Sequence, residues 1–231
     1  QEKPTIVAAS MWLFNHEALM HLCARIKALL PQVIIALGGP EFLGDNETFL
    51  RNNPFVSCVF RGEGEEVFPQ WLASYESTEQ WASIHGMCFV DARNKYRDNG
   101  KAIVMNFDRL TPPEESEFFN WEKPFVQLET TRGCFNTCAF CVSGGEKPVR
   151  TLSIEQIKQR LDLIHKHGIK DVRLLDRTFN YNMHRAKALL QLFKEYAPHM
   201  RFHLEIHPAL LTEELKQELV TLPTGLLHLE A

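Results

Sequence analysis

The 231-residue sequence lacks two features that would point to a membrane or to a nucleic acid. It contains no uninterrupted apolar run of about 18 residues, the length that a membrane-spanning helix needs. Its formal net charge is −4, so no basic surface is expected to attract a polyanion. These absences argue against a membrane span and give no electrostatic reason to expect nucleic acid as a partner.

Cysteine is also scarce, with six residues that are not spread out as a disulfide framework. Cys23 falls on the apolar face of a predicted helix, and Cys58 and Cys88 fall in apolar runs. We interpret these three as small core residues. Exposed thiolates need a reducing compartment, so we expect a cytoplasmic location.

The other three cysteines lie within one short stretch. Cys134, Cys138 and Cys141 form a CxxxCxxC pattern with no fourth cysteine nearby. A structural zinc site is closed by four protein ligands, whereas a cubane iron–sulfur cluster held by three thiolates leaves one iron free for another ligand. The alternatives are a zinc knuckle that borrows a distant histidine, and plain buried thiols.

The first part of the chain alternates apolar runs with helical patterns, which is typical of an open, mostly parallel α/β sheet. Strands are predicted at residues 5–9, 33–37 and 56–60, and helices at 15–30, 47–51 and 66–75. Ligands of such sheets bind at the carboxyl ends of the strands. We expect one such edge to be lined by Ser10, Gly38, Gly39, Gly62, Glu63 and Gly64.

The middle of the chain predicts a β-hairpin and a linker over residues 83–124. Two extended runs, 87–90 and 102–105, flank the turn-forming sequence Asp98-Asn99-Gly100. Residues 110–121 are rich in proline and acidic residues, as linkers often are. This divides the chain into predicted domains at 1–82 and 125–231.

The last part of the chain reads as a regular (β/α) series of four strands. The predicted strands begin near residues 125, 171, 201 and 226, with helices at 152–167, 184–196 and 212–221. Ser153 is the expected N-cap of the first helix, and Gln156 completes a capping box. On the third strand, His203, Glu205 and His207 alternate and should share the inner face.

The cysteine loop, with Phe140 just before its last cysteine, resembles the cluster loop of the radical S-adenosylmethionine (SAM) enzymes. The resemblance implies a [4Fe–4S] cluster on Cys134, Cys138 and Cys141, with SAM bound at the fourth iron and cleaved to a 5′-deoxyadenosyl radical. It implies that the backbone at Phe140 contacts the adenine, and the side chain can also serve as a core aromatic. A partial barrel of about four of the family's six units follows.

The SAM amino group is bound in that family by a GGE-like segment after the second barrel strand. Gly144-Gly145-Glu146 does not fill this role, because it lies directly after the cysteines. The equivalent position here holds Asp176, which we expect to accept from the SAM ammonium. An Asp176–Arg177 surface pair is the alternative. Glu205 is the candidate for binding the SAM ribose or methionyl part, and a His-Glu-His metal site is a weaker alternative.

The first part resembles the cobalamin-binding domain that precedes many radical SAM domains. The resemblance rests on Ala9-Ser10-Met11-Trp12, Gly38-Gly39-Pro40 and the loop Arg61–Glu65, and it implies that Ser10 and the two glycines flank the corrinoid's nucleotide tail. The family's DxHxxG signature, which supplies a histidine to cobalt, is absent, so either that strand lies upstream of Gln1 or cobalamin binds without a protein histidine. The alternative is that these glycines serve ordinary loop turns.

Together these resemblances imply a Rossmann-like, incomplete cobalamin-binding sheet joined to a partial radical SAM barrel, and we expect the chain to be a fragment. The implied activity is methyl transfer or a related radical reaction with an external one-electron reductant such as flavodoxin or ferredoxin. The implied substrate is a small molecule or a peptide that the sequence does not identify. The rivals are a methylthiotransferase with a second cluster and a non-enzymatic zinc-binding module.

Overall fold

The computed structural model describes residues 3–141, 143, 146–196, 199–223 and 227–230. It divides into two compact units, Gln1–Val104 and Met105–Ala231. Among the described residues, no helix combines the length and apolar character that crossing a membrane requires.

The first unit is an α/β sheet with helices in its connections. Its strands are β1 (Ile6–Ser10), β2 (Ile34–Gly38), β3 (Cys58–Phe60), β4 (Met87–Val90) and β5 (Tyr96–Asp98). Its helices are α1 (His16–Leu29), α2 (Glu47–Asn52), α3 (Gly64–Leu72) and α4 (Thr78–Trp81). The strand order is β1-β2-β3-β4-β5, with β1, β2 and β3 parallel and the last two strands antiparallel to their neighbours.

Both faces of this sheet are covered, which explains why β2 is apolar throughout. Ile35 and Leu37 join a core with Cys23 of α1. Ala36 points the other way, as alternate strand residues must, and joins a core that contains Trp71 of α3 and Trp81 of α4. The helices therefore fix β2 in the middle of the unit.

The predicted hairpin is wrong in its second strand. Met87–Val90 pairs with Tyr96–Asp98, so the turn lies at residues 91–95. The Asp91 side chain organises this turn by accepting hydrogen bonds from the backbone of Arg93 and Lys95, both at 2.9 Å. Ala102 instead forms a bridge with Gly62.

The second unit contains a four-stranded parallel sheet and a short two-stranded ribbon. The sheet strands are β6 (Val126–Leu128), β9 (Asp171–Leu174), β10 (Arg201–Glu205) and β11 (Leu227–Glu230), and the ribbon strands are β7 (Thr131–Arg132) and β8 (Arg150–Thr151). The helices are α5 (Ile154–Lys166), α6 (Met183–Tyr196) and α7 (Glu213–Val220). The sheet order is β11-β10-β9-β6, which confirms the predicted (β/α) series.

One face of this sheet packs against helices and the other is open. Phe202 and Leu204 of β10 are buried, and the Phe202 ring stacks on Phe193 of α6 at 4.0 Å. His203 is half-buried and Glu205 is exposed on the opposite face. The predicted alternation along β10 is confirmed for these two residues, because side chains of a strand alternate between faces.

The N-terminus of α5 is capped differently from the predicted capping box. The Ser153 hydroxyl accepts from the Gln156 amide at 3.2 Å, as expected of an N-cap. The Ser153 amide, however, donates to the Asp108 carboxylate at 2.9 Å rather than to the Gln156 side chain. Asp108 lies just before the segment that we predicted to be a linker, and it packs into the second unit.

Candidate functional site

The cysteine loop, residues 133–149, is closed at its base by the ribbon of β7 and β8. Thr131 pairs with Thr151 and Arg132 with Arg150 in antiparallel register. Inside this base, the Cys134 amide donates to the carbonyl of Glu146 at 2.9 Å. The loop therefore leaves the carboxyl end of β6 and returns to the start of α5 with both ends fixed.

The three cysteines of the loop differ in exposure. Cys134 is buried, whereas Cys138 and Cys141 are exposed, and the Cys141 amide donates to the Cys138 carbonyl at 3.1 Å. Among the residues that the structure describes, no three His, Cys, Asp or Glu side chains are gathered as a metal site. The donor set fits an iron–sulfur cluster in its chemistry, because one short loop offers three thiols and two of them are accessible.

Two predicted features lie beside these cysteines. The Phe140 side chain is 94% exposed, so its interpretation as a core aromatic is wrong, and its backbone contact with adenine stays a prediction. Gly144 and Gly145 lie outside the described residues. Glu146 is described, and its carbonyl accepts the Cys134 amide, which is a role in the loop base.

Asp176, the predicted partner of the SAM ammonium, is 1% exposed at the carboxyl end of β9. One carboxylate oxygen accepts from the amides of Thr130 and Thr131 at 2.8 and 2.9 Å, and the other accepts from the Thr130 hydroxyl. Burial raises the pKa of this carboxyl, although the hydrogen bonds oppose the rise. The Asp176–Arg177 surface pair is therefore wrong, and contact with SAM stays a prediction.

Glu205 ends β10 at the same edge of the sheet as the cysteine loop and Asp176. Its neighbour on that face, His203, contacts β11: its Nδ1 is 3.0 Å from Nδ1 of His228 and its Nε2 is 3.2 Å from the Glu230 carboxylate. His207 lies beyond the strand, so the three predicted residues do not form one row. Binding of SAM by Glu205 stays a prediction.

The sequence suggested His207 only as part of a His-Glu-His metal site, whereas its ring lies beside the cysteine loop. Its ring centroid is 6.1 Å from that of Phe135 in the cysteine loop, and its Nδ1 is buried without a hydrogen-bond partner among the described residues. Asn180 fixes its backbone on both sides, donating to the His207 carbonyl at 3.0 Å and accepting from its amide at 2.8 Å. An unsatisfied buried nitrogen beside the cysteines suits a polar ligand group.

The structure places the predicted cobalamin residues at the carboxyl ends of three adjacent strands. Ser10 ends β1 opposite Gly38 of β2, and Arg61 and Gly62 follow β3. At Gly38 a Cβ atom would make an ordinary van der Waals contact with Phe60 Cβ at 3.8 Å. These residues therefore share one edge of the first unit.

Gly39 and Gly62 have intramolecular reasons to be glycine. Both adopt positive φ, and a Cβ atom would lie 2.5 Å from the Met11 carbonyl oxygen in the first case and 2.3 Å from that of Ala102 in the second. The Glu63 side chain also has an intramolecular contact, because its carboxylate accepts a hydrogen bond from the Val104 amide at 2.7 Å. Gly64 begins α3 with open space around it. A cobalamin contact by these four residues stays a prediction.

A cavity of about 680 Å³ opens at the amino ends of the strands in the second unit. Arg173, Arg201 and His203 line it, and the Arg201 guanidinium already pairs with Asp171 at 2.7 Å. Ligands of parallel sheets bind at the carboxyl ends, so this cavity is not the candidate site.

The remaining cysteines are confirmed as core residues. Cys23, Cys58 and Cys88 are fully buried, and burial raises the pKa of all three thiols. Such thiols are poor metal ligands, because the thiolate is the binding form.

Comparison with known proteins matches each unit to a different family model. Residues 128–229 match the Radical SAM superfamily, and residues 1–72 match the B12 binding domain. The chain is 28% identical over 169 residues to an uncharacterized methyltransferase, PH0819, of Pyrococcus horikoshii, in a match that spans 69% of this chain and 37% of that protein.

Two further similarities point the same way. The chain is 23% identical over 198 residues to the cobalamin-dependent radical SAM methyltransferase TokK of Streptomyces tokunonensis, covering 77% of this chain and 28% of TokK. Its fold is similar to that of the cobalamin-dependent SAM radical enzyme OxsB, solved with aqua-cobalamin and SAM, with a TM-score of 0.70 and 20% identity over 94% of this chain and 33% of OxsB. The chain thus spans 28–37% of the length of these three proteins.

Proposed function

We propose that this chain, whose residues 128–229 match the Radical SAM superfamily and whose residues 1–72 match the B12 binding domain, is part of a cobalamin-dependent radical SAM methyltransferase or of an enzyme with related radical chemistry. The observation that carries the proposal is the loop with three cysteines at the carboxyl edge of a parallel (β/α) sheet. When bound, the cluster and SAM supply a substrate-oxidising radical, and cobalamin supplies a methyl carrier.

In the second unit, the proposed ligands of the cluster are Cys134, Cys138 and Cys141. The exposed thiols of Cys138 and Cys141 are open to incoming iron, and the buried Cys134 fixes the loop to its base. Glu205 and His207 follow at the carboxyl end of β10 and offer to SAM a carboxylate and a ring nitrogen that has no hydrogen-bond partner in the part of the chain that the structure describes.

In the first unit, we assign cobalamin to the edge formed by Ser10, Gly38 and Gly39. The position of these residues at the carboxyl ends of β1 and β2 supports this assignment, because ligands of parallel sheets bind at that edge.

The same proposal implies an external one-electron reductant, such as flavodoxin or ferredoxin, and a reducing, cytoplasmic environment. The support is chemical, because exposed thiols that hold an oxygen-sensitive cluster persist only where disulfides do not form.

Anaerobic reconstitution of the 231-residue chain with iron and sulfide tests the proposal. We expect about four irons per chain with matching sulfide and a brown absorbance band, and loss of both in the Cys134/Cys138/Cys141→Ala triple variant. The Cys23→Ala variant is the control, since that thiol is buried in the core of the first unit.

Other metal contents would contradict the proposal. About one zinc per chain without sulfide would identify a zinc-binding module. About eight irons would identify a second cluster of the methylthiotransferase kind, although the burial of Cys23, Cys58 and Cys88 opposes this rival. A triple variant that keeps about four irons would show that other residues bind the cluster.

A further inference from the structure

Asp176 fixes the backbone at the point where the chain enters the cysteine loop. Its carboxylate accepts from the amides of Thr130 and Thr131 and from the Thr130 hydroxyl, and all of these groups are buried. Thr130 follows β6, and Thr131 begins β7 only three residues before Cys134. The carboxylate at the end of β9 therefore ties the entry of the loop to the sheet.

Arg185 joins that entry to the exit of the loop. One terminal nitrogen of its guanidinium donates to the carbonyls of Thr130 and Leu152, both at 2.9 Å. Leu152 follows β8, and its amide donates to the same Thr130 carbonyl at 2.9 Å. A single cation on α6 thus bridges the first and last backbone groups of the loop.

We propose that Asp176 and Arg185 are positioning residues that hold the cysteine loop closed so that its thiols can bind the cluster. This inference rests on the proposed function of the loop. Residues 133–149 contain no helix or strand in their described part, so their geometry depends on how the ends are held. Loss of either side chain leaves buried backbone donors or acceptors unsatisfied at those ends, and the loop gains open conformations.

The residues that these hydrogen bonds reach distinguish a positioning role from general support of the core. Within the described residues, the hydrogen bonds of the Asp176 carboxylate and the Arg185 guanidinium go to residues 130, 131 and 152. The sheet strands β9 and β10 pair through their own backbones. Truncation should therefore loosen the loop before it loosens the sheet.

Hydrogen–deuterium exchange on the metal-free chain tests the inference without cofactor. In Asp176→Ala and Arg185→Met, peptides that cover residues 131–152 should exchange at least about tenfold faster, while peptides from β9, β10 and α6 keep the parent rates. The conservative variants Asp176→Asn and Arg185→Lys retain an acceptor or a donor and should recover most of the protection.

Matched controls lie on the same elements. Asp171→Ala removes a carboxylate from the amino end of β9, where it pairs with Arg201, and Lys187→Met removes a cation of α6 that pairs with Glu214. Both should leave exchange in residues 131–152 unchanged.

The reconstituted chain provides a second measurement. The variants Asp176→Ala and Arg185→Met should lose iron to a chelator at least about tenfold faster than the parent and show a broadened electron paramagnetic resonance signal of the reduced cluster. If either variant unfolds the whole second unit, the milder Thr130→Val, which removes only the hydroxyl donor, replaces it in the test. This variant should also lose iron faster than the parent, but by a smaller factor.

The outcomes distinguish this inference from the proposed function. Parental exchange in residues 131–152 and parental iron loss in the truncated variants would overturn the positioning role even if the parent binds a cluster. A parent that binds no cluster would instead refute the proposed function, and faster exchange in the variants would then show a closed loop with a different purpose.

Discussion

The Glu114 carboxylate accepts two hydrogen bonds from the Arg160 guanidinium, at 2.9 and 2.7 Å, in a buried pair. Arg160 belongs to α5 and also donates to the Glu129 carbonyl at 3.4 Å, close to the start of the cysteine loop. A planar bidentate contact of this kind fixes the orientation of the guanidinium and also pairs its charge. The segment that we predicted to be a linker thus contributes a buried carboxylate to the second unit.

Glu114→Ala should destabilise the second unit by about 3 kcal/mol, because it leaves the Arg160 charge buried without its carboxylate. Urea unfolding followed by circular dichroism measures the change. The control is Glu115→Ala, since Glu115 is exposed on the same turn. Equal midpoints for the two variants would show that the pair adds nothing to stability.

Thiol labelling of the metal-free chain should separate five of its six cysteines into two groups. Cys138 and Cys141 are exposed and should react with iodoacetamide first, whereas Cys23, Cys58 and Cys88 should remain unlabelled in the folded chain. Burial raises the pKa of these three thiols, so raising the pH from 7 to about 9 should speed their labelling less than that of an exposed thiol with an ordinary pKa. Mass spectrometry of tryptic peptides reads each site, and early labelling of Cys58 would contradict its burial.

Two glycine substitutions in the first unit should affect different properties, cobalamin affinity in one case and stability in the other. Gly38→Leu adds a bulky side chain at the proposed cobalamin edge and should weaken binding of hydroxocobalamin at least about tenfold. Gly62→Ala should destabilise the unit by about 2 kcal/mol, because φ is +105° and the new Cβ would lie 2.3 Å from the Ala102 carbonyl oxygen.

Spectroscopic titration with cobalamin and thermal unfolding together measure both glycine effects. Gly44→Ala is the control for each, because its new methyl group would have nothing within 4 Å. Unchanged cobalamin affinity in Gly38→Leu would remove this position from the proposed site.

His207→Ala should lower the affinity of the reconstituted chain for SAM by about three- to tenfold, because a buried ring nitrogen without a partner among the described residues is available to a ligand. Equilibrium dialysis with labelled SAM measures the affinity. His184→Ala on the exposed side of α6 is the control. A variant with parental affinity would show that Nδ1 of His207 does not contact SAM.

Much of the fold could be predicted from local patterns. The alternation of apolar runs and amphipathic helices located the strands of both sheets to within a few residues, because burial of one face imposes the pattern. The hairpin prediction was wrong because two extended runs follow β4 in the chain and only the first of them, β5, pairs with it. The turn at Asp91 wins because its side chain satisfies two backbone amides, whereas residues 102–104 hydrogen-bond to the loop after β3.

The sequence by itself determined the prediction of a three-cysteine ligand set, since a spacing of three thiols within eight residues is a local property of the chain. It also determined the division into two α/β regions. Only the tertiary structure decided that Asp176 is buried against Thr130, that Arg185 bridges the two ends of the loop, and that Phe140 is exposed. The physical reason is that these hydrogen bonds join residues 33 or more positions apart, and that the exposure of Phe140 depends on the folded surroundings. The periodicity of a single segment carries no information about either.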